Sequence, residues 1–138
     1  MSLEELPGGG FRVGVHIADV SHYVREGTAL DAEAYERGTS VYFPDRAVPM
    51  LPIELSTDLC SLRPQVDRMV LSCVMEIDHQ GGIVGYDIGA GVIRSAERMT
   101  YTDVNLCLEG DPAARKHYAH LVKQFELMQE LEAILNRK

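Results

Sequence analysis

Two runs, Arg68–Ile77 rich in valine, leucine and methionine and Ile83–Ile93 rich in valine, isoleucine and glycine, are separated only by Asp78-His79-Gln80-Gly81-Gly82. Apolar, β-favouring runs on either side of an Asp- and Gly-containing turn predict an antiparallel hairpin. Upstream, Phe11–Asp19 alternates loosely, with Phe11, Val13, Val15 and Ile17 on one face, and follows the turn signal Pro7-Gly8-Gly9-Gly10. That pattern predicts a strand leaving a tight hairpin. Residues 1–7 read as a leader or linker without strand, so the partner of that first strand is expected to be missing. Helices are expected over Thr28–Arg37, stopped by Gly38, over Tyr101–Leu108, capped by a threonine, and as one amphipathic segment over Ala113–Asn136. In the last, Leu121, Phe125, Met128, Leu131 and Leu135 form one stripe. Shorter helical turns are expected at Ser21–Val24 and Ile53–Leu59. The class is α/β or α+β, a mixed, largely antiparallel sheet with flanking helices.

Between the first long helix and the hairpin lies Val41-Tyr42-Phe43-Pro44, then Val48-Pro49-Met50-Leu51-Pro52-Ile53-Glu54-Leu55-Ser56. Connecting segments run over the surface and are usually polar. One this apolar, and stiffened by three prolines, has a surface to build. The chain of 138 residues has the size of one domain, and its 46% hydrophobic and 25% charged residues are those of a packed protein rather than a disordered one. No apolar run approaches the roughly 20 residues that cross a bilayer, and no signal peptide opens the chain, so no membrane partner is expected. Cys60, Cys73 and Cys107 form no CxxC pair and read as reduced core thiols of a cytoplasmic protein.

The net charge of −8, with 13 basic against 21 acidic residues, argues against free-standing nucleic-acid binding, which depends on clustered cations. Either the chain never meets RNA, or it forms one wall of a site whose cations lie elsewhere. Phosphodiester hydrolysis usually requires carboxylates grouped around Mg²⁺. The eligible acids Asp19, Asp45, Asp58 and Asp67 are dispersed, with no DxD cluster. Asp19, at a strand end, reads first as a cap for the following turn, and His16 as a structural hydrogen-bonding histidine. His22, His79, His117 and His120 read as exposed. Arg37, Arg46, Arg63 and Arg68 surround the proline segment and could meet phosphates, but a surface ion pair suits each at least as well. Tyr42 opens the stiff loop and Tyr101 opens a helix. Single-stranded RNA is held largely by bases stacked on such rings, although a loop tyrosine alone more often packs partly on the core.

Taken with Gly14-Val15-His16-Ile17-Ala18-Asp19-Val20-Ser21, Leu59-Cys60-Ser61-Leu62 and Met99-Thr100-Tyr101, the proline segment resembles the RNB catalytic domain of the ribonuclease II / ribonuclease R family. The resemblance covers nearly everything from Gly8 onward. Arg37-Gly38-Thr39-Ser40-Val41-Tyr42-Phe43-Pro44 is nearer the bacterial ribonuclease R branch than ribonuclease II proper. The resemblance implies that residues 8–138 are an incomplete piece of an RNB domain. The intact enzyme would be a processive 3′→5′ exoribonuclease that uses Mg²⁺ and releases nucleoside 5′-monophosphates from single-stranded RNA. The family's metal-binding D-x(5)-D-x-D-D motif precedes the strand equivalent to Phe11–Ile17, and its catalytic arginine, second clamping aromatic and ribose-sensing glutamate belong beyond Lys138. Accordingly no catalytic residue and no metal ligand is assigned in this chain, no cofactor is expected on it, and alone it is expected to be inactive.

Matching the family's Y-x-P and L/M-x-Y stretches makes Tyr42 and Tyr101 the expected RNA-binding residues. Tyr23, Tyr35, Tyr86 and Tyr118 are expected to pack. Two rivals stand beside this reading. One is a non-catalytic RNA-binding or scaffold module of the same fold; the other is an unrelated hydrolase in which Asp19, His16 and Asp45 converge on a metal. A sheet with an open edge and an apolar last helix are also expected to drive self-association.

Overall fold

The structure is a computed structural model that describes residues 1–137. Its main sheet has four strands in the order β1-β2-β5-β6, and a separate ribbon pairs β3 with β4. The strands are β1 (Ser2–Glu5), β2 (Phe11–Ala18), β3 (Val41–Tyr42), β4 (Ala47–Val48), β5 (Asp67–Ile77) and β6 (Ile83–Arg94). The helices are α1 (Val20–Tyr23), α2 (Ala29–Arg37), α3 (Tyr101–Glu109), α4 (Pro112–His117) and α5 (Val122–Leu135), with a π-helical turn at Leu55–Leu59. The chain divides into two compact units, one of residues 1–16, 72–89 and 98 onward, the other of residues 17–71 and 90–97.

In the first unit, β1 and β2 form an antiparallel hairpin in which Ser2 faces Gly14 and Glu5 faces Phe11. Ser2–Glu5 was read as strandless, and here the structure corrects the reading. Leu3, 2% exposed, enters a core with Phe11, Val13, Ile77 and Leu131, while Met75, Leu127, Met128 and Ile134 pack around it. The period of two turns Arg12 to the opposite face. There its guanidinium donates to Glu76 of β5 at 2.9 Å and lies 3.8 Å from Glu4 of β1, so one cation ties three strands. The hydrogen bond and charge of Glu76 hold the Arg12 pKa above its ordinary value.

The alternation read for β2 holds only in part. Phe11 and Val13 are buried, but Val15 and Ile17 are exposed. The buried cluster is the one capped by α5, which packs along β1, and it reaches no further along the strand than Val13.

The expected hairpin of β5 and β6 is present, and Asp78 shapes its turn. Its Oδ1 accepts from the amides of Gln80 (2.8 Å) and Gly82 (2.7 Å), and its own N–H donates to the Gly82 carbonyl. An aspartate bonding the backbone two residues on is the usual chemistry of such turns. β6 is an edge strand, with Val84, Tyr86, Ile88 and Val92 exposed. Of the two surfaces expected to drive self-association, α5 spends its apolar stripe on the core through Phe125 and Leu131, whereas β6 stays open.

The single helix expected over Ala113–Asn136 is two. Asp111 caps α4 by accepting from the Ala114 amide, Pro112 occupies the first turn, and the helix stops before Tyr118. His117, Tyr118 and His120 have modest helix propensity, and the His117 and Tyr118 rings meet edge-on with centroids 4.5 Å apart. Arg115 then ties three helices by donating to the Cys107 carbonyl of α3 and to Glu126 of α5.

His16 lies on the same face of β2 as Gly14, and β1 places Ser2 opposite Gly14. The imidazole leans over the glycine, hydrogen-bonded through Nε2 to Ser2 Oγ at 3.2 Å and through Nδ1 to Ser72 Oγ at 2.8 Å. A side chain on Gly14 would strike both Ser2 and the ring. The structural reading of His16 therefore stands. Burial, and secondarily the Met1 ammonium, hold its pKa below the ordinary histidine value. A base with a depressed folded pKa binds its proton more tightly when unfolded, so its contribution to stability is present above pH about 6.5 and is lost as pH falls below that and through the lower folded value. Melting temperature should therefore drop more between pH about 7.5 and about 5.5 in the native chain than in His16→Gln. Parallel pH profiles would refute this.

Candidate nucleic-acid interface

The second unit holds the proline segment, where Val41–Tyr42 and, within the expected loop, Ala47–Val48 pair as a short ribbon. Val41 pairs with Val48 and Tyr42 with Ala47. Beyond Tyr42 the turn is closed by the Phe43 amide donating to the Arg46 carbonyl at 2.7 Å. The base of the ribbon is fastened to α2 and its C-terminal cap. The Ser40 hydroxyl accepts from the Met50 amide at 2.9 Å, and Arg37 donates to the Pro49 carbonyl at 3.2 Å. Thr28 caps the start of α2 by accepting from the Asp31 amide, and Gly38 ends it at φ +68°. A pocket of about 160 Å³ lies where Leu30, Glu33 and Arg37 meet Pro49–Pro52. This is well below the roughly 300 Å³ at which small-molecule sites begin, so it is a packing seam rather than a nucleotide site.

Tyr42 is 81% exposed. Its cross-strand neighbour is alanine, which leaves the ring uncovered, and residues on one side of a pleated pair alternate with those on the other. Phe43 and Arg46 therefore share the opposite face, where the Arg46 guanidinium carbon lies 5.3 Å from the Phe43 ring centroid. Val41, Phe43 and Val48 are also exposed. The segment is thus an apolar, aromatic projection held on a short, pinned ribbon.

The arginines around it differ in what they hold. Arg37 pairs with Glu33 at 2.8 Å. Arg63 and Arg68 share Asp58 Oδ1 at 3.0 and 2.6 Å, and Arg68 also donates to the Ser61 carbonyl. Among the described residues, Arg46 is the one of these four with no ion pair.

Three of the four eligible acids are similarly engaged, Asp45 in the ribbon's turn being the exception among the described residues. Asp19 caps α1, accepting from the His22 amide at 3.1 Å and the Ser21 hydroxyl at 2.6 Å, as its position suggested. Asp67 pairs with Arg94 at 2.7 Å, and that hydrogen bond, with the charge behind it, holds its pKa below the ordinary aspartate value. Among the described residues, no three His, Cys, Asp or Glu side chains are grouped to hold a metal, and the convergence of Asp19, His16 and Asp45 finds no support. The residues present do not fit Mg²⁺. Cys60 donates its amide to the Leu55 carbonyl, and burial pushes its thiol pKa up. The three cysteines are free thiols.

Tyr101 belongs to the first unit, at the first position of α3. Thr100 caps that helix by accepting from the Asp103 amide at 3.1 Å and donating to its carboxylate at 2.6 Å. Tyr101 is 98% exposed. Of the tyrosines expected to pack, Tyr23 is half-buried, resting edge-on against His22, and Tyr118 is half-buried. Tyr35 and Tyr86 are instead 87% and 72% exposed; they lie on the outer faces of α2 and of edge strand β6. No helix is long and apolar enough to cross a membrane among the described residues.

Comparison with known proteins gives a consistent result. Residues 1–138 match the RNB domain family. Ribonuclease R 1 of Lactococcus lactis is 52% identical over 132 residues, covering 96% of this chain and 16% of that protein. Among solved structures, Mycoplasma genitalium RNase R in complex with ribose-methylated single-stranded RNA superposes with a TM-score of 0.72 at 40% identity, covering 78% of this chain and 17% of that one. An active-site mutant of the Dss1 exoribonuclease from Candida glabrata gives a TM-score of 0.82 at 25% identity over 99% of this chain and 19% of that one. The chain therefore spans about a fifth or less of the length of these relatives. With the match running along the whole sequence and a mixed α/β fold shared with RNB exoribonucleases, this chain belongs to the RNB-domain family.

Proposed function

We propose that this chain is a segment of a ribonuclease R-like enzyme, a Mg²⁺-dependent, processive 3′→5′ exoribonuclease that hydrolyses single-stranded RNA to nucleoside 5′-monophosphates. Within that enzyme the segment holds RNA and does not cut it. The observation that carries the reading is Tyr42, a ring 81% exposed at the end of a ribbon tied to α2, in the stretch that matches the family's Y-x-P motif. Bases stack on exposed rings with little regard for sequence, and a pinned ribbon loses little entropy on binding. Tyr101, at the capped start of α3, is a second exposed ring and matches the family's L/M-x-Y stretch.

The division of labour follows from the acids. Metal-assisted hydrolysis requires clustered carboxylates, which would hold the cation that activates water and steadies the leaving oxygen. Here Asp19, Asp58 and Asp67 are each committed to a helix cap or to arginines. The 138-residue chain, given Mg²⁺ and 5′-labelled single-stranded RNA, should leave the RNA intact. The full-length protein carrying it should release nucleoside 5′-monophosphates from the 3′ end. Cleavage by the chain alone would place the catalytic acids within it and overturn this division; internal cleavage by the full-length protein would overturn the exonuclease reading.

A further inference from the structure

We propose that Arg46 grips a phosphodiester of the RNA strand whose base stacks on Tyr42, an inference that rests on the RNA-holding role of the ribbon. Charge makes free cations scarce on this chain, which carries 13 basic and 21 acidic residues. Around the proline segment Arg37, Arg63 and Arg68 are neutralised by Glu33 and Asp58. Arg46 is not. It stands at the exposed turn of the ribbon, next in register to the Tyr42–Ala47 pair, with its carbonyl closing the turn onto Phe43.

Its guanidinium is nonetheless held in place, 5.3 Å from the Phe43 ring centroid, within the range of a cation–π contact. Resting on a ring face uses none of the five N–H donors. An arginine fixed in this way has lost part of its rotamer freedom in advance and keeps a planar fork that matches two phosphate oxygens. Because Tyr42 and the Phe43–Arg46 pair occupy opposite faces at the ribbon's end, a polynucleotide draped across that end meets a ring on one side and a cation on the other. Base and phosphate are the two chemistries a single strand presents in alternation. The phosphodiester recurs at every nucleotide, so a contact with it is indifferent to sequence.

The test is the salt dependence of binding of a fluorescent single-stranded oligoadenylate to the full-length protein, with Mg²⁺ omitted so that the RNA survives. Losing one phosphate contact on a single strand lowers the slope of log affinity against log salt by about 0.7. Arg46→Gln should show that reduction, so that raising salt fourfold weakens the variant about 2- to 3-fold less than the native protein. Arg46→Lys should keep the native slope, and Arg37→Gln should not change it, since Arg37 is already paired. An unchanged slope in Arg46→Gln overturns the proposal, whether its affinity is native or reduced; reduced affinity at constant slope would mean that the residue only props Phe43. Tyr42→Ala separates the two ideas. Loss of affinity there, with Arg46→Gln silent, leaves the ribbon an RNA contact and removes Arg46 alone.

Discussion

Replacing Tyr42 by alanine in the full-length protein should weaken binding of the 3′ end of single-stranded RNA about 5- to 150-fold, the equivalent of one stacked base at about 1–3 kcal/mol. Tyr42→Phe should bind like the native protein, because stacking uses the ring and not the hydroxyl. The ring is 81% exposed and faces Ala47 across the ribbon, so its removal costs the fold little and the loss reports on RNA. Tyr35→Ala supplies the matched control, an 87% exposed tyrosine on α2 with no assigned role. The salt slope should stay constant in Tyr42→Ala, since no charge is removed. If Tyr42→Ala and Tyr35→Ala bind alike, and the lengths of the final products are unchanged, the ribbon is not where the RNA is held.

What could be read from residues alone follows the strength of local signals. The β5–β6 hairpin was legible because long β-favouring runs flank an Asp- and Gly-rich turn, and Asp78 does shape it. α3 was legible because Thr100 and Gly110 mark both its ends. β1 was not, because three of its four residues face solvent and Leu3 is its one core contact; a strand with a single apolar residue has no period to detect. The split between α4 and α5 was hidden because no glycine or proline stands between His117 and Val122 to mark it. As for the site, Tyr42 and Tyr101 were singled out by resemblance rather than by composition. Sequence alone could not say that one ring faces an alanine and the other begins a helix, nor that Tyr35 and Tyr86 would be nearly as exposed. The Phe43–Arg46 stack left no trace either, since it depends on the tight turn between them.

Gly10→Ala should destabilise the chain by about 3 kcal/mol or more, enough to lower its melting temperature by roughly 10 °C. Gly10 closes the β1–β2 hairpin, accepting from the Leu6 amide at 3.0 Å, with φ at +91°. A residue with a side chain is strained at that angle by about 1–3 kcal/mol. The larger obstacle is steric. A Cβ at position 10 would sit 2.5 Å from the Ile77 carbonyl oxygen and 3.3 Å from the Asp78 Cα. These are backbone atoms of the neighbouring strand and its turn, which no rotamer change can clear. To relieve the clash β2 must move off the end of β5, where Phe11 and Ile77 share the core with Leu3. Gly8 and Gly9 are the controls, since both also have positive φ, at +99° and +92°, but neither has an atom within 4 Å of its added Cβ. Gly8→Ala and Gly9→Ala should thus pay only the conformational cost. Thermal denaturation followed by circular dichroism compares the three: if Gly10→Ala melts together with the other two, the close packing of β2 against Ile77 is wrong.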